Sequence, residues 1–185
     1  MFFIIAIEIV IKTKCSLKAK NCIEGRHEIV AFSKEYGIPH DVCGKVVVAT
    51  EKKELANMDR IFAIGTENRI EGIEKINADQ VKDIEPHVES IGGIWVPCTG
   101  IVDFVAATKK MVELALAINK DSKVFTGCEV QNIEKKDEYS ILHTSKGVFQ
   151  SNYQVFCAGL QADRLAKKDG VDLKEKVVGF RGDYY

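Results

Sequence analysis

The sequence predicts a mixed α/β or α+β fold, on the evidence of three observations. Segments with helical periodicity alternate with short apolar runs over roughly the first two thirds of the chain. From Ser122 the periodicity changes to two, which predicts an antiparallel meander. A last apolar run then ends at a glycine and leads into an amphipathic helix. Because helices and strands alternate on both sides of the meander, a helical bundle and a pure β-sandwich are excluded.

The bulk composition is that of an ordinary globular domain. The chain has 185 residues, of which 46% are hydrophobic and 29% charged, enough for a substantial core. Its 26 basic and 27 acidic residues leave a net charge of −1, which argues against a nucleic-acid binder driven by bulk charge. The six cysteines form no CxxC pair, so we expect reduced thiols and a cytoplasmic protein.

The first fourteen residues, "MFFIIAIEIVIKTK", favour a strand. The apolar run is too short to cross a bilayer and is interrupted by Glu8, and it lacks the features of a signal peptide. We therefore expect a buried strand and no integral membrane segment. Two alternatives stay open, namely that Met1 is not the natural start of the chain and that the protein contacts a membrane peripherally.

Four elements are predicted between residues 16 and 86, and capping residues define the ends of the first and third helices. A first helix begins at Ser16 and ends at Gly37, with an unfavourable Gly25 in its interior. Residues 43–50, "CGKVVVAT", predict a fully buried strand. A second helix covers 51–67, and a short third helix begins at Asn77 and ends before Pro86.

The second half begins with a strand at 94–96 that Pro97 breaks. Asp103 then caps a helix whose apolar stripe consists of Phe104, Ala107, Met111, Leu114 and Ile118. The meander has turns at 135–138 and 145–147, and it leads into a more apolar final strand.

The stretch "QVFCAGLQADRLAKKDG", residues 154–170, is the first candidate site. It predicts a buried strand carrying Tyr153, Val155 and Phe156, followed by a helix. The small residues Ala158 and Gly159 would let the backbone approach a ligand at the end of that strand. From these residues alone, a cofactor site and a plain strand–helix junction both remain possible.

Five blocks in order resemble one family. They are "SLKAKNCIEG", "GIPHDVCGKVVVAT", "IEPHVESI", "PCTGIVDF", and "CAGLQADRLA" with "VVGFRGDYY". Together they resemble the FAD-dependent L-2-hydroxyglutarate dehydrogenase/oxidase family of the D-amino-acid-oxidase-like flavoproteins. The resemblance covers roughly Ser16 to Tyr185, nearly the whole chain.

The resemblance implies two interleaved regions. Residues 1–37 and 101–176 would form part of the FAD-binding region, which contains the meander. Residues 38–100 and 177–185 would belong to a mixed substrate-binding sheet. The FAD contacts implied by the family fall on Val130, Cys157, Ala158 and Gly159.

Four residues in the matching blocks suit the carboxylates of a substrate, namely Lys18, Thr99, Arg181 and Tyr184. A solvated helix face is the alternative for Lys18, and an exposed ion pair is the alternative for Arg181. The implied reaction oxidises a small 2-hydroxy acid, with L-2-hydroxyglutarate to 2-oxoglutarate as first choice. From the sequence we assign no catalytic base and no electron acceptor. The four histidines do not fall at metal-ligand spacing with a cysteine, so we expect no metal site.

Alternative interpretations follow from departures from the family pattern. The chain has no GxGxxG motif, and Cys98 stands where family members have histidine. We therefore expect a central fragment that lacks both ends, binds FAD weakly or not at all, and leaves the segment at 154–156 with an unpaired edge. A truncated non-catalytic remnant, a binding domain, or another flavoenzyme such as a glycerol-3-phosphate dehydrogenase or an amino-acid oxidase remains the alternative.

Overall fold

The computed structural model describes residues 3–5 and 16–179, and it confirms the predicted α/β class. The chain divides into two compact units, Met1–Ser122 and Lys123–Tyr185. Composition gives no sign of this division, since no Gly-, Pro- or Ser-rich linker marks the boundary. The interleaved assignment of FAD-binding and substrate-binding regions stays a prediction.

The first unit contains four helices and six strands among its described residues. The helices are α1 (Leu17–Tyr36), α2 (Leu55–Glu67), α3 (Ala78–Ile84) and α4 (Phe104–Ile118). The strands are β1 (Phe3–Ile5), β2 (His40–Asp41), β3 (Lys45–Ala49), β4 (Glu74–Ile76), β5 (Gly92–Val96) and β6 (Gly100–Val102). The predicted N-terminal strand is thus present over Phe3–Ile5, and the rest of that prediction lies outside the described residues.

The six strands form two three-stranded antiparallel sheets. One sheet has the order β1-β6-β2 and the other the order β3-β5-β4. Strand β5 is central and pairs with β3 through Val47↔Ile94 and with β4 through Lys75↔Ile94. Strand β3 is only partly buried along most of its length, so the prediction of a fully buried strand was wrong. Four of its five described residues keep partial contact with solvent, which a strand covered on both faces would not.

Local capping chemistry explains where the helices begin. The Ser16 hydroxyl accepts from the Ala19 N–H at 3.1 Å, and the Asp103 carboxylate accepts from the N–H groups of Val105 and Ala106. Asn77 forms a reciprocal capping box with Gln80. The predictions for all three helix starts are therefore confirmed.

Among the described residues, the buried core of the first unit has two clusters. One consists of Ile61, Ile70, Ile94, Val96 and Cys98, and the other of Ile38, Val102 and Ala107. Of the predicted apolar stripe on α4, only Ala107 is fully buried, and Ile118 is 87% exposed. The stripe prediction was therefore wrong for most of its members, because the described α4 residues that belong to or pack against the buried core are Ala106 and Ala107, near its start.

Helix α2 ends in a left-handed residue that is not glycine. Arg69 has φ = 56°. Its N–H bonds to the Thr66 carbonyl at 3.0 Å, and the Ile70 N–H bonds to the Gly65 carbonyl at 3.0 Å. These two bonds define a Schellman motif, in which glycine normally occupies the position of Arg69.

We expect Arg69→Gly to raise the free energy of unfolding by about 0.5–1 kcal/mol. The left-handed conformation costs a side-chain-bearing residue about 1–2 kcal/mol, and the extra entropy of glycine in the unfolded chain offsets part of the gain. Urea denaturation measures the effect. Arg69→Ala is the matched control, because it removes the side chain but keeps the strain. An equal gain in both variants would contradict this explanation.

The described part of the second unit contains a meander and one short α-helix. Strands β7 (Val130–Lys135), β8 (Ser140–Thr144) and β9 (Gly147–Ser151) pair antiparallel in sequence order. The Lys136 N–H bonds to the Tyr139 carbonyl at 2.8 Å and closes the first turn, as predicted. A 3₁₀ turn over Gly159–Gln161 then leads into α5 (Ala162–Lys168).

The predicted final strand is not formed, which corrects the sequence-based interpretation. Residues 153–158 have no regular secondary structure, and Tyr153 and Val155 are 92% and 88% exposed. Leu160, in the 3₁₀ turn that follows, is 68% exposed as well. The physical reason is that a strand needs a partner, and β9 pairs only with β8 among the described residues.

Candidate functional site

A cavity in the second unit brings together two of the four predicted cofactor residues. Val130, at the start of β7, and Ala158, just before the 3₁₀ turn, both line it, and its volume is about 640 Å³. The remaining wall comes mainly from α5. Strands β8 and β9 lie between β7 and α5 in the chain, so the cavity brings together residues that are distant in sequence.

The other two predicted cofactor residues flank Ala158 in sequence. Cys157 is exposed, and Gly159 has φ = 54°, a left-handed conformation that favours glycine. A Cβ atom at Gly159 would meet nothing within 4 Å. The glycine is therefore required by the backbone bend and not by crowding.

Two cations that the sequence analysis did not single out line the same cavity. The Lys168 Nζ donates to the Val130 carbonyl oxygen at 2.8 Å, across 38 residues of sequence. The Arg164 Nη1 donates to the Gln161 Oε1 at 2.9 Å. The sequence signal that could have identified Arg164 and Lys168 is their four-residue spacing, which places both on one face of the helix after Ala158 and Gly159.

The predicted substrate residues are not brought together by the described structure. Lys18 is exposed near the start of α1. Thr99 is 1% exposed, and its hydroxyl donates to the Val96 carbonyl at 3.0 Å. Arg181 and Tyr184 lie outside the described residues. The Lys18 position fits the solvated-face alternative as well as a binding role.

Arg26, which bonds to the residue before Thr99, has a mostly buried guanidinium and was not among the predicted site residues. The side chain of Arg26 is 11% exposed and donates to the Cys98 carbonyl at 3.3 Å and to the Glu71 carboxylate at 3.1 Å. Arg26 thus anchors the segment between β5 and β6 onto α1. Burial raises the pKa of the Cys98 thiol, so this cysteine stays neutral at pH 7 and is a poor nucleophile.

Neither a metal site nor a membrane span is found in the described part of the chain. No group of three or more His, Cys, Asp or Glu side chains there is arranged to hold a metal ion. Within residues 3–5 and 16–179, no helix has the length and apolar character needed to cross a bilayer.

The family model described as "FAD dependent oxidoreductase" matches residues 10–185. Among curated proteins, L-2-hydroxyglutarate dehydrogenase of Indibacter alkaliphilus is 41% identical over 173 residues, covering 92% of this chain and 42% of that protein. The mitochondrial L-2-hydroxyglutarate dehydrogenase of Caenorhabditis briggsae is 36% identical over 178 residues, covering 93% and 41%. The chain therefore spans less than half the length of these relatives.

Solved structures share the fold at lower identity. L-proline dehydrogenase from P. horikoshii matches with a TM-score of 0.76 and 18% identity, over 91% of this chain and 45% of that chain. FAD-bound L-alpha-glycerophosphate oxidase from Mycoplasma pneumoniae matches with a TM-score of 0.74 and 23% identity, over 89% and 44%. At this identity the likeness concerns the fold alone.

Proposed function

The chain belongs to the DAO family of FAD-dependent oxidoreductases, and from this premise we propose that it forms part of a flavoenzyme that oxidises a small 2-hydroxy acid. The best single substrate is L-2-hydroxyglutarate, which would yield 2-oxoglutarate. One observation carries this choice, namely the 41% identity to a protein of that named activity over 92% of this chain.

The cavity between β7 and α5 supports a cofactor role for the second unit. Its volume of about 640 Å³ lies within the range of small-molecule sites. Val130 and Ala158 would contact the cofactor from inside the cavity, with Cys157 and Gly159 at the adjoining bend. The charge of Arg164 and Lys168 suits the phosphate-bearing character of the group.

FAD, when bound, supplies the two-electron acceptor for the hydride that leaves C2 of the substrate. A base removes the hydroxyl proton as the carbon–oxygen double bond forms, and a 2-oxo acid is released. No described residue is assigned as that base. The substrate carboxylates are proposed to bind Lys18, Thr99, Arg181 and Tyr184. Thr99 would first have to release its bond to the Val96 carbonyl.

A chimera tests the proposal. This chain replaces the matching segment of the Indibacter alkaliphilus relative, and the unmodified relative is the control. We expect the purified chimera to retain bound FAD, visible as flavin absorbance. It should also reduce a dye with L-2-hydroxyglutarate about tenfold or more faster than with D-2-hydroxyglutarate or glycerol 3-phosphate. The chain alone should bind FAD weakly or not at all.

Three outcomes would contradict different parts of the proposal. A flavin-loaded chimera that prefers glycerol 3-phosphate or an amino acid would replace the substrate class. A folded chimera without flavin would favour a non-catalytic remnant or a binding domain. Stoichiometric flavin on the chain alone would overturn the expectation that further segments are needed to hold the cofactor.

A further inference from the structure

Residues 97–99 connect β5 to β6, and several parts of the first unit contact this segment. The Gly44 N–H donates to the Thr99 carbonyl at 2.9 Å. Gly72 packs so closely on Pro97 that a Cβ atom there would lie 2.7 Å from the Pro97 Cγ. The Arg26 Nη1 donates to the Cys98 carbonyl at 3.3 Å. Arg26 is therefore a side chain that ties α1 to the 97–99 segment.

Two neighbouring side chains orient the Arg26 guanidinium. Its Nη2 donates to the Glu71 Oε2 at 3.1 Å and lies 2.8 Å from the His27 Nε2. Glu71 lies between α2 and β4, whereas His27 follows Arg26 on α1. Because each terminal nitrogen of a guanidinium carries two hydrogens, Glu71 and His27 together use both hydrogens of Nη2. The other terminal nitrogen is thereby directed at the Cys98 carbonyl.

The contact between Arg26 and His27 defines the protonation state of the histidine. A guanidinium only donates hydrogen bonds, so the His27 Nε2 must accept, which requires a neutral ring with its proton on Nδ1. The same Nε2 lies 3.5 Å from the Glu71 Oε1, and these two atoms attract each other as an ion pair only when the ring is protonated. Protonation of this nitrogen therefore exchanges Arg26 for Glu71 as its partner.

The charged groups around His27 come from α1 and from the connection between α2 and β4. On α1 they are the adjacent Arg26 and, three residues earlier, Glu24, which already pairs with a lysine of the same helix. From the connection, Glu71 is the facing group. The Cys98 thiol adds no charge, because burial raises its pKa. A protonated His27 would thus be repelled by Arg26 and attracted by Glu71.

We propose that Arg26 is a positioning residue for Thr99 and that it holds the 97–99 segment only while His27 is neutral. A protonated His27 repels the guanidinium and competes for Glu71, which weakens the bond to the Cys98 carbonyl. The inference rests on the proposed function, in which Thr99 contacts a substrate carboxylate. It adds a residue that the family resemblance did not assign.

The first test measures how fast Cys98 reacts in the whole 185-residue chain. A pyridyl disulfide forms a mixed disulfide with accessible thiols, and peptide mass spectrometry separates Cys98 from the exposed Cys43. Cys98 is 8% exposed, so we expect it to react slowly. At about pH 7.5 it should react about fivefold faster in Arg26→Gln. Arg26→Lys keeps the charge and should restore part of the protection.

The second test isolates the protonation of His27. His27→Gln retains a side-chain oxygen that can accept from Arg26, but it does not titrate. Because the reactivity of every thiol changes with pH, the Cys98 rate of the unmodified chain is divided by that of His27→Gln at the same pH. This ratio should be close to unity at about pH 7.5 and rise about fivefold at about pH 5.5.

His87→Gln is the matched control, because His87 is exposed and lies between α3 and β5, away from this cluster in the chain. Its Cys98 rate should follow that of the unmodified chain at both pH values. Circular dichroism of each variant shows whether the helices of the first unit are still folded.

The chimera provides the catalytic readout, with L-2-hydroxyglutarate as substrate. Arg26→Gln should raise KM about fivefold and change kcat by less than about twofold, because the position of Thr99 affects substrate binding more than hydride transfer. Between about pH 7.5 and about pH 5.5, the KM of the parent chimera should rise relative to that of its His27→Gln variant. A general loss of stability would instead reduce the amount of active enzyme.

Equal Cys98 reactivity in Arg26→Gln and the unmodified chain would overturn the inference. So would a ratio to His27→Gln that stays near unity at both pH values, and this measurement decides the matter if Arg26→Gln does not fold. An active chimera whose KM is unaffected by Arg26→Gln removes the positioning role and leaves the proposed function intact. The expected Cys98 rates in a chain whose chimera is inactive support the hold on the 97–99 segment and contradict only the substrate assignment.

Discussion

Gly100→Ala is expected to lower the free energy of unfolding of the first unit by about 3–5 kcal/mol. Gly100 begins β6, which lies between β1 and β2 in its sheet. A Cβ atom there would fall far inside van der Waals contact with the Asp41 carbonyl oxygen, 2.8 Å from the Val42 Cα and 3.0 Å from the Asp41 carbonyl carbon. These are backbone atoms, so β2 must separate from β6 to make room.

Urea denaturation followed by tryptophan fluorescence measures this loss. The chain has a single tryptophan, Trp95, which lies on β5 in the same unit. Gly25→Ala is the control, because Gly25 lies within α1 and a Cβ there meets nothing within 4 Å. We expect the control to gain about 0.5–1 kcal/mol from helix propensity. Equal unfolding midpoints for Gly100→Ala and the unmodified chain would refute the steric explanation.

Ile94→Ala is expected to cost about 3–5 kcal/mol, the second large effect. Ile94 is fully buried at the centre of β5 and packs in the cluster with Ile61 and Ile70. Shortening this side chain removes apolar contacts and leaves a cavity where Ile94 packs against Ile61 and Ile70. The surrounding strands are held in register, so the site cannot collapse easily.

A graded series separates this packing effect from a general loss of hydrophobicity. Ile94→Val should cost about 0.5–1.5 kcal/mol, because it removes one methylene. Ile118→Ala, at a position that is 87% exposed on α4, should change stability by less than about 0.5 kcal/mol. Similar losses at positions 94 and 118 in the urea experiment would contradict the packing explanation.

Helix starts could be predicted from the sequence because capping is a local interaction. Ser16, Asn77 and Asp103 each bond to N–H groups two or three residues further on. The glycine that ends a helix is an equally local signal, and α1 ends at Gly37 with φ = 64° as expected. Such signals do not depend on where the rest of the chain lies.

Strands and site residues depended on distant partners and were harder to predict. Strands β2 and β6 have two and three residues, too few to show a period, and both were missed. The apolar segment at 153–156 has strand character but pairs with no strand in the part of the chain that the structure describes. Arg26 bonds to a carbonyl 72 residues away and Lys168 to one 38 residues away, so their roles appear only once the chain has folded.

The segment between β9 and the 3₁₀ turn exposes apolar side chains to solvent. Tyr153 and Val155 present apolar side chains to water beside main-chain groups that join no sheet. Such a stretch is a template for strand addition by another molecule, and we expect it to favour association between copies of this chain. A charge placed at Val155 would act as a gatekeeper against aggregation without touching the Val130 cavity.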